Sequence, residues 1–147
     1  MTIDVLVIGT DPPCPRCDLM SRLVEETTGS LPQVTVRHCS FDSPEAMALG
    51  QKLGRKIGTA KHVARDVGIT MDWDAVYGLI NRSMASAGPG CRPADAWTQE
   101  LDMMLRPCEA AAESAGYLMT PVLLVNGLVK HHGSVPSQQQ IAEWVSK

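Results

Sequence analysis

The sequence predicts an α/β fold in which one mixed sheet is flanked by helices. Three features carry this expectation. The β-branched apolar run Ile3–Gly9 reads as a buried strand, and a helical pattern opens directly after it at Cys14. Near the other end, Pro121–Val125 reads as a strand that turns at Asn126-Gly127 into Leu128–His132; Asn-Gly between two apolar runs is the strongest short-range hairpin signal. Between these β segments lies a long block, about 44–105, with helical periodicity and helix-start signals throughout.

Each element has a local reason. After the turn residues Thr10-Asp11-Pro12-Pro13, the residues Leu19, Met20, Leu23 and Val24 form one apolar side of a first helix that Gly29 stops. Residues 33–39 alternate well enough for a second strand. Ser43-Pro44-Glu45 is a helix start, with a hydroxyl cap, proline at the first helical position and an acid near the positive dipole end. Leu49, Leu53 and Ile57 continue that helix, and a shorter one covers Ala60–Val67 up to Gly68. Asp72 caps a helix that buries Val76, Leu79, Ile80 and Met84 and breaks at Gly88-Pro89-Gly90. Pro93 is expected to begin a helix carrying Trp97, Leu101, Met104 and Leu105, with a kink or restart at Pro107 and a last piece running to Gly116. Ser137 caps a closing helix with Ile141, Trp144 and Val145 inward.

The 147 residues suffice for a single domain, 1–147, with a core at about 1–43 and 106–147 and an all-α insertion at about 44–105. A net charge of −3 with scattered Lys and Arg excludes a nucleic-acid footprint, and the apolar runs are too short to span a membrane as a helix. Met1–Gly9 has no basic start and carries Asp4 within its apolar stretch, so a cytoplasmic location is expected. Five cysteines, an odd and unevenly spaced set, do not read as a secreted disulfide framework.

Cys14-Pro15-Arg16-Cys17 carries the chemistry. Cys14 falls at the N-terminus of the first helix, where unpaired backbone N–H groups and the helix dipole favour an anion and lower a thiol's pKa. Pro15 suits the first helical position, and Arg16 adds a positive charge beside the thiolate. Cys17 lies one turn on, close enough to close a disulfide. Asp11 and Asp18 oppose this by like-charge repulsion. A dithiol–disulfide exchanger uses this arrangement, with Cys14 as nucleophile and Cys17 as resolving thiol. Two other readings use the same residues: a metal or metalloid binder that adds a third thiol to Cys14 and Cys17, and a non-catalytic binding module that keeps the fold. Cys108 falls on an apolar helical stripe and is expected to be buried, as is Cys39 at a strand end; Cys91 is either an accessible thiol or a partner for Cys108. His131 and His132 must point to opposite faces of their strand. Gly50, Gly54 and Gly58 recur every fourth residue as a packing detail, and Trp73 and Trp97 are expected as core anchors.

Residues 3–20 (IDVLVIGTDPPCPRCDLM) and 119–145 (MTPVLLVNGLVKHHGSVPSQQQIAEWV) together resemble the thioredoxin-like superfamily, most nearly its small redox-active-disulfide proteins. The resemblance implies a thioredoxin-like fold with a cis peptide at Thr120-Pro121 facing the cysteines, and a substrate groove built from Pro15, Arg16, Thr120 and Pro121. It implies exchange with a protein or small-molecule disulfide, recycling by a reductase, no tightly bound cofactor and no metal. Two positions depart from thioredoxin itself: Pro13 stands where a tryptophan precedes the first cysteine, and Ile8 where the first strand carries a buried acid. The insertion is placed as in DsbA-like oxidoreductases.

Overall fold

In the computed structural model, which describes residues 2–146, a four-stranded sheet has the order β2-β1-β5-β6. Strand β1 (Ile3–Gly9) pairs in parallel with β2 (Val34–Ser40) and antiparallel with β5 (Val122–Val125), which forms the hairpin with β6 (Leu128–His132). The parallel pair requires a crossover, and α1 (Pro15–Thr28) supplies it. The turn is the expected one: Asn126 has φ 51° and Gly127 φ 79°, left-handed conformations that Asn and Gly tolerate best.

Alternation along the strands divides the core. Ile3, Val5, Val7, Leu123 and Val125 face α1 and the closing helix α6 (Gln138–Val145), against Met20, Val24, Ile141 and Val145. Leu6, Ile8, Val122 and Leu124 face the other way, toward Ala46 of α2 (Pro44–Leu53) and Leu118. These two layers hold the sheet in the expected architecture.

The expected all-α insertion is corrected: it contains a strand. The helix begun at Ser43 does not continue to Ile57. Gly54, at φ 67°, closes it by donating to Gln51 and Gly50 carbonyls, and Lys56–Gly58 then forms β3. This strand pairs in parallel with β4 (Tyr117–Met119) in a second, two-stranded sheet. Gly50 and Gly58 are needed for close approach: a Cβ at Gly50 would lie 2.8 Å from the Arg55 carbonyl oxygen, and one at Gly58 3.0 Å from Tyr117.

Helices α3 (Ala60–Val67) and α4 (Trp73–Ala87) follow as expected, Asp72 capping α4 through Ala75 N–H at 3.0 Å. Pro93–Ala96 forms only a 3₁₀ turn, a second correction. Helix α5 (Gln99–Ala112) starts afresh with Thr98 as its cap, so Trp97 lies before it. Pro107 neither breaks nor restarts α5. Its ring is on the exposed side, where the carbonyl that loses its N–H partner can turn to water. Two clusters pack the insertion: Val76 and Leu79 of α4 meet Leu101 and Leu105 of α5 within it, while Val63 and Ala64 join it to Cys108, Ala112, Tyr117 and Met119. Among the described residues no helix is long and apolar enough to cross a membrane.

Candidate active site around Cys14 and Cys17

The site grows from the end of β1. Gly9 leaves the sheet, the turn through Pro13 reverses the chain, and Cys14 caps α1 with extended backbone angles while Pro15 takes the first helical position. The Cys17 N–H donates to Cys14 Sγ at 3.3 Å, and the two sulfurs are 2.9 Å apart with both thiols free. Thr10, which sequence reasoning passed over, organises the turn: its hydroxyl accepts from the Cys14 N–H at 2.9 Å and lies 3.9 Å from Cys17 Sγ. A hydroxyl four residues before the N-cap was the only signal available for it.

The two thiols differ in exposure and in proton affinity. Cys14 is partly exposed, whereas Cys17 is buried at 2 % exposure. The Cys14 pKa is lowered to about 6, first by the hydrogen bond from the Cys17 thiol; the Cys17 backbone N–H, the Arg16 charge and the Thr10 hydroxyl add to it against the cost of desolvation. The Cys17 thiol is pushed up for the complementary reasons: it donates to Cys14, is buried, and lies beside the Cys14 charge.

Arg16 is where the structure departs most from the sequence-based expectation. It does not line a substrate surface. Its side chain is 3 % exposed and turns inward, its Nε 3.2 Å from Asp102 Oδ1 on α5. Pro15, Thr120 and Pro121 are buried as well. Asp18 is also accounted for: its carboxylate accepts from Arg92 at 2.6 Å and from the Ala94 N–H at 2.9 Å, so its charge is compensated by the loop before the 3₁₀ turn. Arg22 pairs with Asp95 of the same segment at 3.1 Å. The insertion is thus fastened to α1 directly beneath the cysteine pair.

The peptide bond at Thr120-Pro121 is cis, as is that at Asp11-Pro12. Register gives its position: Ile8 pairs with Val122, so Pro121 lies beside Gly9, the residue against which Cys17 packs. The Thr120 N–H is donated to the Gly58 carbonyl at 2.9 Å, an internal bond created by β3; the Thr120 carbonyl accepts no such turn or loop bond among the described residues.

Gly9 has little room. A Cβ there would lie 3.0 Å from Cys17 Cβ and 3.1 Å from its sulfur. The Gly9→Ala substitution is therefore expected to push Cys17 away from Cys14 and to cost about 1–3 kcal/mol by overpacking. Urea denaturation of the reduced protein measures that loss. Unchanged stability with unchanged Cys14 reactivity would show that the contact relaxes freely.

The remaining candidates have structural roles. Cys108 is fully buried, as expected, while Cys39 is half-buried rather than buried. Cys91 does not pair with Cys108; both are free, and the Cys91 thiol lies 3.7 Å from the Met84 carbonyl. His131 bonds Ser134 at 2.7 Å on the α6 side, and His132 accepts from the Met119 N–H at 3.2 Å on the other, so the two do point apart. Among the described residues no group of three or more His, Cys, Asp or Glu side chains is placed to hold a metal ion. Trp73 packs in the α3–α5 cluster.

Comparison with known families places this geometry. A family model described as a thioredoxin domain matches residues 88–146, the segment holding α5, Thr120-Pro121, the hairpin and α6. The match covers less than half of the chain, and the β2-β1-β5-β6 sheet flanked by helices agrees with the fold it implies. The chain has a thioredoxin-like fold, and over residues 88–146 it is similar to the thioredoxin-domain family. The thioredoxin-domain match does not extend to Cys14 and Cys17, nor does it cover most of the insertion expected to be placed as in DsbA-like enzymes. Neither a curated protein nor a solved structure matches the chain.

Proposed function

We propose that this protein is a thiol–disulfide oxidoreductase working through Cys14 and Cys17. The observation that carries the reading is the asymmetry of the pair: one partly exposed thiol with its pKa lowered to about 6, hydrogen-bonded to one buried thiol held protonated. The Cys14 thiolate attacks one sulfur of a substrate disulfide; a Cys14–substrate disulfide forms and the other substrate thiolate leaves. Cys17 then gives up its proton and attacks Cys14 Sγ, forming the Cys14–Cys17 disulfide and releasing the second substrate thiolate. The substrate gains two electrons and the protein loses them. A reductase with its own dithiol restores the pair, and no tightly bound cofactor takes part.

Arg16 contributes charge, not contact. The exposed rim of the site is Asp11, Pro12 and Pro13, with Cys14 at its inner edge. A protein disulfide or a small disulfide presented along this rim meets Cys14 first, and the Thr120 carbonyl is the backbone acceptor available to an extended substrate. A reducing compartment such as the cytoplasm suits a protein whose five thiols are all free.

Alkylation kinetics test the assignment. In the reduced protein, the rate of Cys14 carbamidomethylation by iodoacetamide should reach half its plateau at about pH 6, with Cys17 unreactive over the same range. A midpoint in the range of an ordinary thiol, or Cys17 reacting first, would contradict the roles given to the two residues.

A further inference from the structure

The resolving step needs a base, and the residue that supplies it is not on the first strand. Ile8 is fully buried against Ala46, Leu118 and Val122, on the opposite side of the sheet from α1. Asp18 lies one residue from Cys17, but both its oxygens are committed to Arg92 and the Ala94 N–H. What adjoins Cys17 is a cavity of about 360 Å³ on the β2 side of α1, away from Thr120-Pro121; Gly9, Thr10, Cys17, Ser21, Glu25 and His38 form its wall.

The polar groups of that wall are ordered. Cys17, Ser21 and Glu25 follow at i, i+4 and i+8 and share one face of α1. Across from them, His38 on β2 has its Nδ1 3.3 Å from Ser21 Oγ and its Nε2 3.7 Å from Glu25 Oε1. At 3.7 Å Glu25 places a negative charge toward Nε2 without a hydrogen bond, and Nδ1 faces the Ser21 hydroxyl, where its neutral lone pair can take a proton. Val7 pairs with His38 in the register, which sets His38 two residues down and one strand over from Gly9, about 8 Å by strand geometry. The cavity between β1, β2 and α1 is large enough to admit water.

Resting on the dithiol reading above, we propose that His38 is the proton acceptor for Cys17, reached through cavity water and the Ser21 hydroxyl, with the Glu25 carboxylate facing the charge it gains. The Cys17 S–H bond breaks as its sulfur bonds to Cys14 Sγ. The proton passes by way of Ser21 to His38 Nδ1, and the Cys14–substrate bond breaks to release the substrate thiolate. The imidazolium formed faces Glu25. The other charged groups on the cavity wall are Asp11 and the mutually paired Asp18 and Arg92; Arg37, the neighbour of His38 on β2, turns to Asp4 and Glu45 instead.

Stopped-flow reaction of the reduced protein with substoichiometric 5,5′-dithiobis(2-nitrobenzoate) separates the two steps. A first thionitrobenzoate is released when Cys14 attacks and a second when Cys17 resolves. His38→Gln should slow the second release roughly 100-fold at about pH 7 and leave the first unchanged, the loss expected of a missing general base. The defect should fade at about pH 10, where hydroxide replaces the base. Ser21→Ala should show the same selective defect. The His38 side chain is 45 % accessible and Ser21 is half-buried outside the apolar core, so neither substitution threatens the fold. An unchanged second release in His38→Gln, or an equal fall in both releases, overturns the relay while leaving the dithiol pair standing. A wild-type protein with no second release overturns the dithiol reading and the relay with it.

Discussion

Replacing Cys14 with serine is expected to abolish disulfide reduction, because the nucleophile is lost. Replacing Cys17 with alanine is expected to stop turnover at a different point. A Cys17→Ala protein still attacks a substrate disulfide but has no thiol to release it, so a covalent Cys14–substrate adduct should accumulate and be visible by intact mass. The same variant carries a second signature. The Cys17 thiol is the first cause of the low Cys14 pKa, so its removal should raise that pKa from about 6 toward the range of an ordinary thiol, and the adduct should form more slowly at about pH 6 than in wild type. In a non-catalytic binding module neither variant would change partner binding, and in a metal binder both would lose metal equally. Adduct formation by Cys17→Ala but not by Cys14→Ser fits exchange alone.

The second large effect is at the Arg16–Asp102 pair, where α1 meets the insertion. Removing one partner of a buried ion pair leaves the other charge uncompensated and costs about 3–5 kcal/mol. Arg16 is almost fully buried and Asp102 is 23 % exposed, so Asp102→Asn falls at the low end, near ~3 kcal/mol or about 10 °C in Tm for a domain of this size. The effects on Cys14 should have opposite signs. Arg16→Met removes a positive charge that stabilises the thiolate, and alkylation at about pH 6 should slow, by up to about fivefold for a one-unit rise in pKa. Asp102→Asn frees the Arg16 charge from its counterion, and the Cys14 pKa should fall further. The double change Arg16→Met with Asp102→Leu should recover most of the stability but not the thiolate. Parallel changes in stability and pKa across all three variants would show that the pair acts only by packing.

The parts of this molecule that were legible in the sequence are those decided locally. The strand Ile3–Gly9, the cap at Ser43, the Asn126-Gly127 turn and the placement of Cys14 at a helix start each depend on a few neighbouring residues whose backbone preferences agree. The strand β3 was not legible. Three residues carry too short a pattern, Ile57 happens to continue the spacing of Leu49 and Leu53, and the pairing that makes Lys56–Gly58 a strand is with Tyr117–Met119, far along the chain. The αL Gly54 was the available clue, and its recurrence with Gly50 and Gly58 pointed instead to helix packing. Thr98 was likewise overlooked as a cap because Pro93 offered an earlier helix start.

In the site, the cysteine pair stood out and the family resemblance supplied the cis peptide at Thr120-Pro121, whereas the destinations of the charged side chains were not legible. Nothing in the order of residues says that Arg16 turns to Asp102 or that Asp18 is claimed by Arg92 and Ala94. Those contacts arise only when the insertion folds back on α1, and they change the meaning of the Pro-Arg pair from substrate surface to interior electrostatics. Long-range charge pairing is invisible to periodicity.

The central claim is that Cys14 and Cys17 form one reversible redox couple. Equilibrating the metal-free protein in buffers of graded potential, alkylating it, and mapping every cysteine by mass spectrometry tests this most directly. Cys14 and Cys17 are expected to convert together along a single two-electron curve while Cys108 remains a thiol throughout. Cys14 and Cys17 that oxidise independently, pair with Cys39 or Cys91 instead, or never close a disulfide would contradict the account.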